Sequence, residues 1–486
     1  MELEDLGLKD ASLRRDQCLL NGNWVGAPSH WVTNPATDKA VGLVPNMGDS
    51  EAREAVAAAS AAFPAWAKKT AKERSDILRA WFDLIIANLE DLARILTAEQ
   101  GKPLTEARGE IAYAASFVEF YAEEAKRVYG QSIPAPETDA RILVLRQPLG
   151  VVAAITPWNF PAAMITRKVA PALAVGCSVV CKPAPETPLT ALALGVLADR
   201  AGMPAGVLNI ITGDAVAIGN VWCKSPIVRG LSFTGSTEVG KLLMRQCADT
   251  VKKLGLELGG NAAFIVFDDA DIDAAVDGVI ASKFRNMGQT CVCANRIFVQ
   301  EHVHDAFVEK LTAKVAAMVV GPGTESLVTQ GPLINVAAVT KVQGHIADAI
   351  AKGATVTTGG ALLRPNTTFF APTVLIGATM DMVLAQEETF GPLAAIFKFG
   401  TEEDVIKKAN DTPFGLAAYF YSRDVGRVFR MAEALEAGIV AVNAGAASTE
   451  LAPFGGMKQS GLGREGSHFG LDEYLEIKYV YLGGLS

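Results

Sequence analysis

Apolar residues between Ala71 and Leu96 recur at steps of three and four, which places them on one face of a helix. They are Ile77, Leu78, Trp81, Ile85, Leu89, Leu92 and Leu96. Gly101 and Pro103 are expected to end this helix, and a second helix is predicted from about Thr105 to Val128. The first ~130 residues are therefore predicted to be helical after a short polar N-terminal segment.

The pattern changes between Arg141 and Ile155 to two β-rich runs, RILVLRQ and GVVAAI, separated at Pro148. Beyond Ile155, short apolar strands alternate with helices of about 10–15 residues, as in βαβ units around a parallel sheet. A second unit of similar alternation begins at Asn261. Pro161 is expected in the first turn of the helix after the first strand of this alternation.

Parallel sheets bind their ligands at the carboxyl ends of the strands. Four segments follow predicted strands and are expected along one rim: TPWNFP, KPAPETP, FTGSTEVG and ELGG. FTGSTEVG is the phosphate candidate, since glycine allows close backbone approach and a helix start attracts anions. Four residues separate Gly235 from Gly240, so this is not the G-x-G-x-x-G fingerprint, and a purely structural turn is the alternative.

The C-terminal run YLEIKYVYL alternates and predicts a terminal strand that needs an edge to pair with. RILVLRQ or a second subunit could supply that edge.

Composition limits the class of function. A chain of 486 residues predicts about three domain-sized units at ~150 residues each. The net charge of −9, with basic residues only in scattered doublets, argues against a nucleic-acid partner. The acidic N-terminus lacks a secretory signal and no run reaches the ~20 apolar residues of a membrane span, so we expect a cytoplasmic protein.

The seven cysteines are too few and scattered for a disulfide framework. No C-x-x-C pair occurs and the five histidines are dispersed, so no metal site is expected. The segment GQTCVCANR carries Cys291 and Cys293. Two buried small side chains, or a nucleophilic thiol with a neighbour, remain as explanations.

Seven motifs, in one order along the whole chain, resemble the aldehyde dehydrogenase superfamily. They are PWNFP (157–161), KPAPETP (182–188), FTGSTEVG (233–240), LELGGN (256–261), GQTC (288–291), EETFGP (387–392) and PFGGMKQSGLGREG (453–466). Within the superfamily, PAAMITRK, FRNMGQTCVCANR, EFYAEEAKRVYG and SGLGREG look like succinate-semialdehyde dehydrogenases, enzymes associated with γ-aminobutyrate degradation.

The resemblance implies an α/β fold of three parts in a homodimer or homotetramer. These are a Rossmann-like dinucleotide-binding domain (1–127 and 149–258), an α/β catalytic domain (259–467) and a small β oligomerisation arm (128–148 and 468–486). It also implies oxidation of succinate semialdehyde to succinate.

In that chemistry Cys291 attacks the aldehyde as a thiolate, because the ionised sulfur is the reactive form. The side-chain amide of Asn159 and the backbone N–H of Cys291 stabilise the oxyanion. Hydride transfer leaves a thioester, and Glu257 activates the water that hydrolyses it. Taken singly, these residues could be a buried thiol, a turn asparagine and a solvated carboxylate.

The family pattern also assigns cofactor contacts. It places Lys182 and Pro185 around the adenosine ribose, Gly235 and Ser236 at the pyrophosphate, and Glu388 and Phe390 at the nicotinamide ribose, with Trp158 as a further contact. A carboxylate at position 185 would bind a free 2′-hydroxyl and repel a 2′-phosphate. Here Pro185 occupies that position and Glu186 follows, which favours NADP over NAD.

The substrate is predicted from Arg167 and Arg285, which match positions that hold a substrate carboxylate in succinate-semialdehyde dehydrogenases, with Ser448 as a third donor. Guanidinium groups suit carboxylates because their donors are paired in a plane; structural ion pairs are the alternative. Glutarate semialdehyde, one methylene longer, or a broader aldehyde range stays open, as do a cysteine hydrolase or acyltransferase and a non-catalytic role.

For Cys293, an extended backbone would set its Cα about 6.6 Å from that of Cys291, near the limit for a disulfide. Cys293 is then a packing residue or a reversible oxidative cap on Cys291.

Overall fold

A computed structural model describes residues 2–485 of the chain. Its strands are β1 (Cys18–Leu20), β2 (Asn23–Val25), β3 (Pro28–Thr33), β4 (Ala40–Pro45), β5 (Gln131–Ile133), β6 (Arg141–Pro148), β7 (Val151–Ile155), β8 (Ser178–Lys182), β9 (Leu208–Ile210), β10 (Val228–Thr234), β11 (Lys253–Glu257), β12 (Ala262–Val266), β13 (Ala294–Gln300), β14 (Thr355–Thr358), β15 (Thr373–Ile376), β16 (Leu393–Phe399), β17 (Phe414–Gly415), β18 (Ala417–Tyr421), β19 (Ile439–Val442), β20 (Met457–Lys458), β21 (Gly461–Leu462) and β22 (Leu475–Leu482).

The α-helices are α1 (Asp49–Lys68), α2 (Ala71–Ala87), α3 (Leu89–Gln100), α4 (Leu104–Glu124), α5 (Ala163–Val175), α6 (Pro188–Arg200), α7 (Ala215–Lys224), α8 (Thr237–Cys247), α9 (Ile272–Val279), α10 (His304–Ala316), α11 (Val336–Ala351), α12 (Val383–Gln386), α13 (Glu402–Asn410) and α14 (Val425–Ala434). A π-helical segment, Ile280–Phe284, follows α9. Among residues 2–485, every helix is too short or too polar to cross a bilayer.

The first sheet has the strand order β2-β1-β9-β8-β7-β10-β11-β21. Its strands β7 to β11 are all parallel and, ranked by chain order, lie as 3-2-1-4-5, the order of a Rossmann-like sheet. The order reverses between β7 and β10, and ligands of such sheets bind in the crevice at this switch point. The predicted dinucleotide-binding topology is confirmed.

The second sheet has the order β14-β15-β16-β13-β12-β18-β19 and is parallel apart from β14. A third, smaller sheet has the order β22-β6-β5. In it β22 pairs antiparallel with β6 over its whole length, from Leu475 opposite Pro148 to Leu482 opposite Arg141. The predicted pairing of YLEIKYVYL with RILVLRQ is therefore confirmed within one chain.

Helix α5 explains how charged residues enter the interior next to the site. All of its residues are buried, because it packs against α2 and α4 on one side and β7 and β8 on the other. Arg167 and Lys168 lie in its second turn and are each about 1% exposed. A buried charge requires a partner, so these two side chains must be paired inside the protein.

Four details of the predicted elements were wrong. Strands β1 to β4 occupy part of the N-terminal region that was predicted to be helical; β1 is short and is held by pairing with β9, a long-range contact. The helix predicted from Ala71 to Leu96 breaks at Asn88, whose side-chain Nδ2 donates to the carbonyl of Leu84 at 2.8 Å. Helix α7 was not predicted, and Pro161 precedes α5 by two residues.

The other predicted boundaries hold within a few residues. Gly101 ends α3 in a left-handed conformation with φ 97°, as its position after the periodic run predicts. The domain limits stay a prediction, and one short strand crosses them, since β21 belongs to the predicted catalytic segment but pairs with β11 of the first sheet.

Candidate active site

A cleft of about 380 Å³ opens where the carboxyl ends of β7, β10 and β11 meet the turn that precedes β13. Seven of the residues singled out from the sequence line it: Trp158, Asn159, Gly235, Ser236, Cys291, Glu388 and Phe390. Met164, Leu258, Gly259 and residues of α11 are among the others that line it. Three of the four motifs that were expected along one rim, TPWNFP, FTGSTEVG and ELGG, therefore meet the segment GQTC at a single cleft, whereas KPAPETP contributes no residue to its lining.

Cys291 is partly exposed to the cleft, whereas the other six cysteines are buried. The segment before it is unusual, because Asn286, Met287 and Gly288 all have left-handed backbone angles, with φ of 51°, 56° and 73°. Burial raises the pKa of the Cys291 thiol to about 12, and the neighbouring carboxylate of Glu388 acts in the same direction. The thiol is therefore protonated at neutral pH in this state of the protein.

Asn159 follows β7 and is 4% exposed. Its side-chain Nδ2 donates to the carbonyl of Gln289 at 3.0 Å, which leaves the second N–H of that amide for another acceptor. Gln289 lies two residues before Cys291, so this hydrogen bond joins the asparagine loop to the cysteine loop. The structure thus brings together the two groups predicted to stabilise an oxyanion.

Glu257 ends β11 and does not line the cleft, although its neighbours Leu258 and Gly259 do. Both of its carboxylate oxygens are buried without a hydrogen-bond partner among the described residues. Burial raises its pKa well above the ordinary value, and the nearby Glu465 adds to the effect. A desolvated carboxyl group of this kind is a frequent feature of functional sites.

The two predicted arginines lie in different surroundings. Arg167 forms an ion pair with Glu465 and its guanidinium stacks 4.0 Å from the ring of Phe454. Arg285 stacks 4.8 Å from the ring of Phe160 and forms no ion pair within residues 2–485. Arg167 is therefore held in an ion pair, whereas Arg285 forms none, although its positive charge opposes the rise that burial causes in the pKa of the Glu106 carboxyl.

Both arginines act on Tyr113 of α4. Burial raises the pKa of the Tyr113 hydroxyl, and the positive charges of Arg167 and then Arg285 oppose this shift. The hydroxyl is buried and lacks a hydrogen-bond partner in the described part of the chain. The sequence offered no signal for Tyr113, but its hydroxyl and Arg285 together leave donors for an anion.

Ser448 lies in the loop after β19, partly buried. Neither this serine nor the two arginines line the cleft itself.

The phosphate candidate has the expected local structure. Ser236 is the N-cap of α8, and its hydroxyl oxygen accepts the N–H of Val239 at 3.3 Å. The first turn of α8 thus faces the cleft at Gly235 and Ser236, with the positive end of the helix dipole directed there.

Of the other predicted cofactor residues, Trp158, Glu388 and Phe390 line the cleft. Glu388 accepts the N–H of Gly260 at 3.3 Å, and burial raises its pKa to about 7. Trp158 and Phe390 contact edge to face with ring centroids 5.7 Å apart. Lys182 is buried at the end of β8, where its Nζ donates to the carbonyl of Pro183 at 3.1 Å, and Pro185 is exposed; neither lines the cleft.

The expectation of extended backbone between the two cysteines was wrong. The N–H of Cys293 donates to the carbonyl of Thr290 at 3.0 Å, so residues 290–293 form a turn. The thiol of Cys293 is buried and contacts the carbonyl of Lys283 at 3.4 Å. This contact fits the packing role for Cys293.

Several residues of the site were missed from the sequence. Lys102 was not singled out, although its neighbours Gly101 and Pro103 were, yet its Nζ donates to the carbonyl of Asn159 at 2.8 Å. Glu465 lies in the recognised GREG motif and had no assigned role. No local pattern pointed to Lys102, because its contacts with Glu110 and Asn159 form only in the folded chain.

Comparison with known proteins agrees with this geometry. The model of the aldehyde dehydrogenase family matches residues 24–480. The chain is 58% identical to glutarate-semialdehyde dehydrogenase of Pseudomonas aeruginosa, covering 98% of this chain and 100% of the relative. It is 59% identical to the NADP(+) succinate-semialdehyde dehydrogenase of Escherichia coli, covering 98% and 99%.

The solved structure of an aldehyde dehydrogenase from Brucella melitensis biovar abortus superposes with a TM-score of 0.98 at 61% identity, covering 99% of each chain. The family model, the sequence identities and the fold agree over nearly the whole chain. This chain belongs to the aldehyde dehydrogenase family.

Proposed function

We propose that the protein oxidises a short aldehyde with a terminal carboxylate, succinate semialdehyde in the first place, to the corresponding dicarboxylate, using NADP or NAD. The observation that carries the proposal is the placement of the Cys291 thiol at the cleft, beside Asn159 and opposite the start of α8. The proposed nucleophile, oxyanion donor and anion-binding helix end line one cleft of about 380 Å³, which supports their acting together.

In the first step the Cys291 sulfur, as thiolate, attacks the aldehyde carbon and the carbonyl oxygen takes the negative charge. The free N–H of the Asn159 amide and the backbone N–H of Cys291 are the proposed donors to that oxygen. Such donors are effective because they are already oriented when the charge develops. Arg167 is the nearby positive charge that favours the thiolate.

Loss of hydride from the tetrahedral adduct leaves a thioester on Cys291. Glu257 is the proposed general base for the next step: its carboxylate removes a proton from water, which attacks the thioester carbon. Collapse of the resulting adduct breaks the carbon–sulfur bond, which frees the carboxylic acid product and the Cys291 thiolate, and Glu257 releases its proton to solvent. The raised pKa of Glu257 makes it a stronger base once ionised, while its burial keeps it away from bulk solvent.

The residues present fit a dinucleotide. Ser236 and the start of α8 would hold the pyrophosphate, Glu388 and Phe390 the nicotinamide ribose, and Lys182 the adenosine ribose. The nicotinamide, when bound, supplies the hydride acceptor. Pro185 places no charge against a 2′-phosphate, which supports NADP, as does the printed cofactor of the Escherichia coli relative.

Arg285, with Tyr113 and Ser448, is proposed to hold the substrate carboxylate. Arg167, which is paired with Glu465, is proposed to add positive charge to the same region. Glutarate semialdehyde is the second candidate, favoured by the name of the Pseudomonas aeruginosa relative. One methylene changes affinity by only about 1–3 kcal/mol in a pocket, so both substrates could be used.

We also propose assembly through the sheet of β5, β6 and β22. Its strands expose Leu143, Leu145, Ile477 and Tyr479, which are 37% to 70% exposed, and exposed apolar strands favour burial against another subunit.

The deciding experiment measures initial rates with four- and five-carbon semialdehydes and with uncharged aldehydes of matched length, each with NADP and NAD. We expect the semialdehydes to have kcat/KM at least tenfold above the uncharged aldehydes. Equal values for charged and uncharged aldehydes would contradict the proposed substrate class.

A further inference from the structure

Lys102 lies in the connection between α3 and α4, and its side chain is fully buried. Its Nζ donates to the carboxylate of Glu110 at 2.5 Å and to the backbone carbonyl of Asn159 at 2.8 Å. It also lies 3.8 Å above the centre of the Phe160 ring. A lysine far away in the sequence therefore contacts the residue proposed to stabilise the oxyanion.

Glu110 binds the backbone at the other end of the segment 159–162, whose first carbonyl Lys102 binds. Its second carboxylate oxygen accepts the N–H of Ala162 at 2.9 Å, at the N-cap position of α5. The Lys102–Glu110 pair thus binds both ends of this segment: Lys102 binds the carbonyl of Asn159, and Glu110 binds the N–H of Ala162.

A second connection runs to the cysteine loop. The Oε1 of Gln100 accepts a hydrogen bond from the backbone N–H of Lys102 at 3.0 Å. The Nε2 of the same side chain donates a hydrogen bond to the Oδ1 of Asn286 at 3.0 Å. Asn286 in turn donates its Nδ2 to the carbonyl of Asn159 at 2.9 Å. The carbonyl of Asn159 therefore receives two donors, one from the α3–α4 connection and one from the cysteine loop.

We propose that Lys102, supported by Glu110, is a positioning residue for the oxyanion site: its hydrogen bond to the Asn159 carbonyl sets the direction of the Asn159 side-chain amide toward the aldehyde oxygen at Cys291. The proposal rests on the proposed role of Asn159. Buried ion pairs are not in general needed for stability, since apolar replacements of both partners are often neutral. Here both partners of the pair bond to the backbone of the segment 159–162, and we therefore assign the pair an orienting role.

The test uses the double variant Lys102→Met/Glu110→Gln in the full-length enzyme. Methionine removes the donor and the charge, and glutamine keeps an acceptor for the Ala162 N–H without leaving an unpaired charge. Two rates are measured: kcat for aldehyde oxidation, and alkylation of Cys291 by iodoacetamide, located by peptide mass spectrometry. Alkylation of a thiolate passes through no oxyanion, so it reports thiol reactivity alone.

We expect kcat to fall about 10- to 100-fold, the effect of a small misplacement of a reacting group, while the alkylation rate stays within twofold of wild type. Lys252→Met is the matched control, because Lys252 is also buried and donates to two backbone carbonyls, those of Ser225 and Val228, away from the cleft. It should leave both rates unchanged.

The same double variant in an Asn159→Ala background should cost no further activity, because the group it orients is gone. Three results would each overturn the proposal. They are a normal kcat in the folded double variant, a loss of alkylation rate as large as the loss of kcat, and a further loss of kcat in the Asn159→Ala background as large as in wild type. If Asn159→Ala itself has normal kcat, the proposed oxyanion role fails instead, and the positioning role fails with it.

Should the double variant not fold, Asn286→Gly takes its place. It removes the other donor to the Asn159 carbonyl and keeps the left-handed backbone, which glycine adopts readily. A loss of kcat larger than the loss of alkylation supports the proposal, and equal losses overturn it.

Discussion

Gly260 and Cys291 are in direct backbone contact: a Cβ built on Gly260 would lie 2.5 Å from the carbonyl oxygen of Cys291. The connection from β11 to β12 therefore passes against the nucleophile turn with no room for a side chain. This contact joins the segment that follows Glu257 to the turn that carries the Cys291 thiol.

Gly260→Ala should consequently displace the Cys291 backbone and lower kcat about 100-fold, the usual cost of a 1 Å error at a reacting group. Gly109→Ala is the matched control. Gly109 is exposed within α4 with nothing near its Cβ position, so alanine should leave kcat unchanged and stabilise the protein by about 0.5–1 kcal/mol. Steady-state rates and thermal melts check both, and a fully active Gly260→Ala enzyme would contradict the contact.

Cys291 should show no reactive thiolate at neutral pH before substrate and cofactor bind. Burial raises its pKa to about 12, so the thiolate fraction increases tenfold per pH unit below that value. Iodoacetamide alkylation of the cofactor-free enzyme should therefore rise about tenfold per unit from pH 7 to 9. Glu388→Gln removes a charge that raises this pKa, and it should speed alkylation at fixed pH. A rate that levels off below pH 8 would mean a thiolate already formed.

Arg285→Ala should raise KM for succinate semialdehyde by about 10- to 100-fold, as expected for loss of a hydrogen bond to a charged group. KM for an uncharged aldehyde of the same length should change little. Arg79→Ala is the control, since Arg79 pairs with Glu119 on the surface at 2.7 Å. If both aldehydes lose affinity equally, Arg285 does not bind the substrate carboxylate.

Glu99 provides a pH-dependent contribution to stability. Its carboxylate accepts the first N–H groups of α6, from Leu189 at 2.7 Å and Thr190 at 2.8 Å, and burial raises its pKa from 4.5 to about 8. A folded pKa above the unfolded one gives stability that is complete below pH 4.5 and is lost as the pH rises to 8.

The melting temperature of wild type should therefore exceed that of Glu99→Gln most at pH 5.5, and the gap should narrow toward pH 8. Thermal melts of both proteins between pH 5.5 and pH 8 measure this difference in melting temperature. Groups that titrate in both proteins contribute equally to each and cancel in the difference. A gap that is constant or grows with pH would refute the raised pKa.

Local pattern was sufficient to locate most of the cleft. Trp158, Asn159, Gly235 and Ser236 each follow a parallel strand, and strands of one direction end at one edge, so their proximity follows from the alternation of elements. Cys291 reaches the same cleft from the second sheet, and its place was known only from the family resemblance.

The remaining parts depend on contacts between distant segments. Lys102 contacts Asn159 across 57 positions, and Lys168 pairs with Glu465 across 297; neither pairing leaves a periodic trace in the sequence. The turn at Cys293 was missed although it is local, because the residues that its hydrogen bond spans, Thr290 to Cys293, include no glycine, proline, asparagine or aspartate to signal a turn.

The covalent acyl adduct on Cys291 is the central claim, and Glu257→Gln offers the most direct test of it. With the general base removed, enzyme mixed with succinate semialdehyde and NADP and then quenched in acid should carry one succinyl group on the peptide that contains Cys291, as seen by mass spectrometry. Reduced cofactor should form in an amount equal to the acylated enzyme. Reduced cofactor without an acyl group on Cys291, or an acyl group on another residue, would contradict the account.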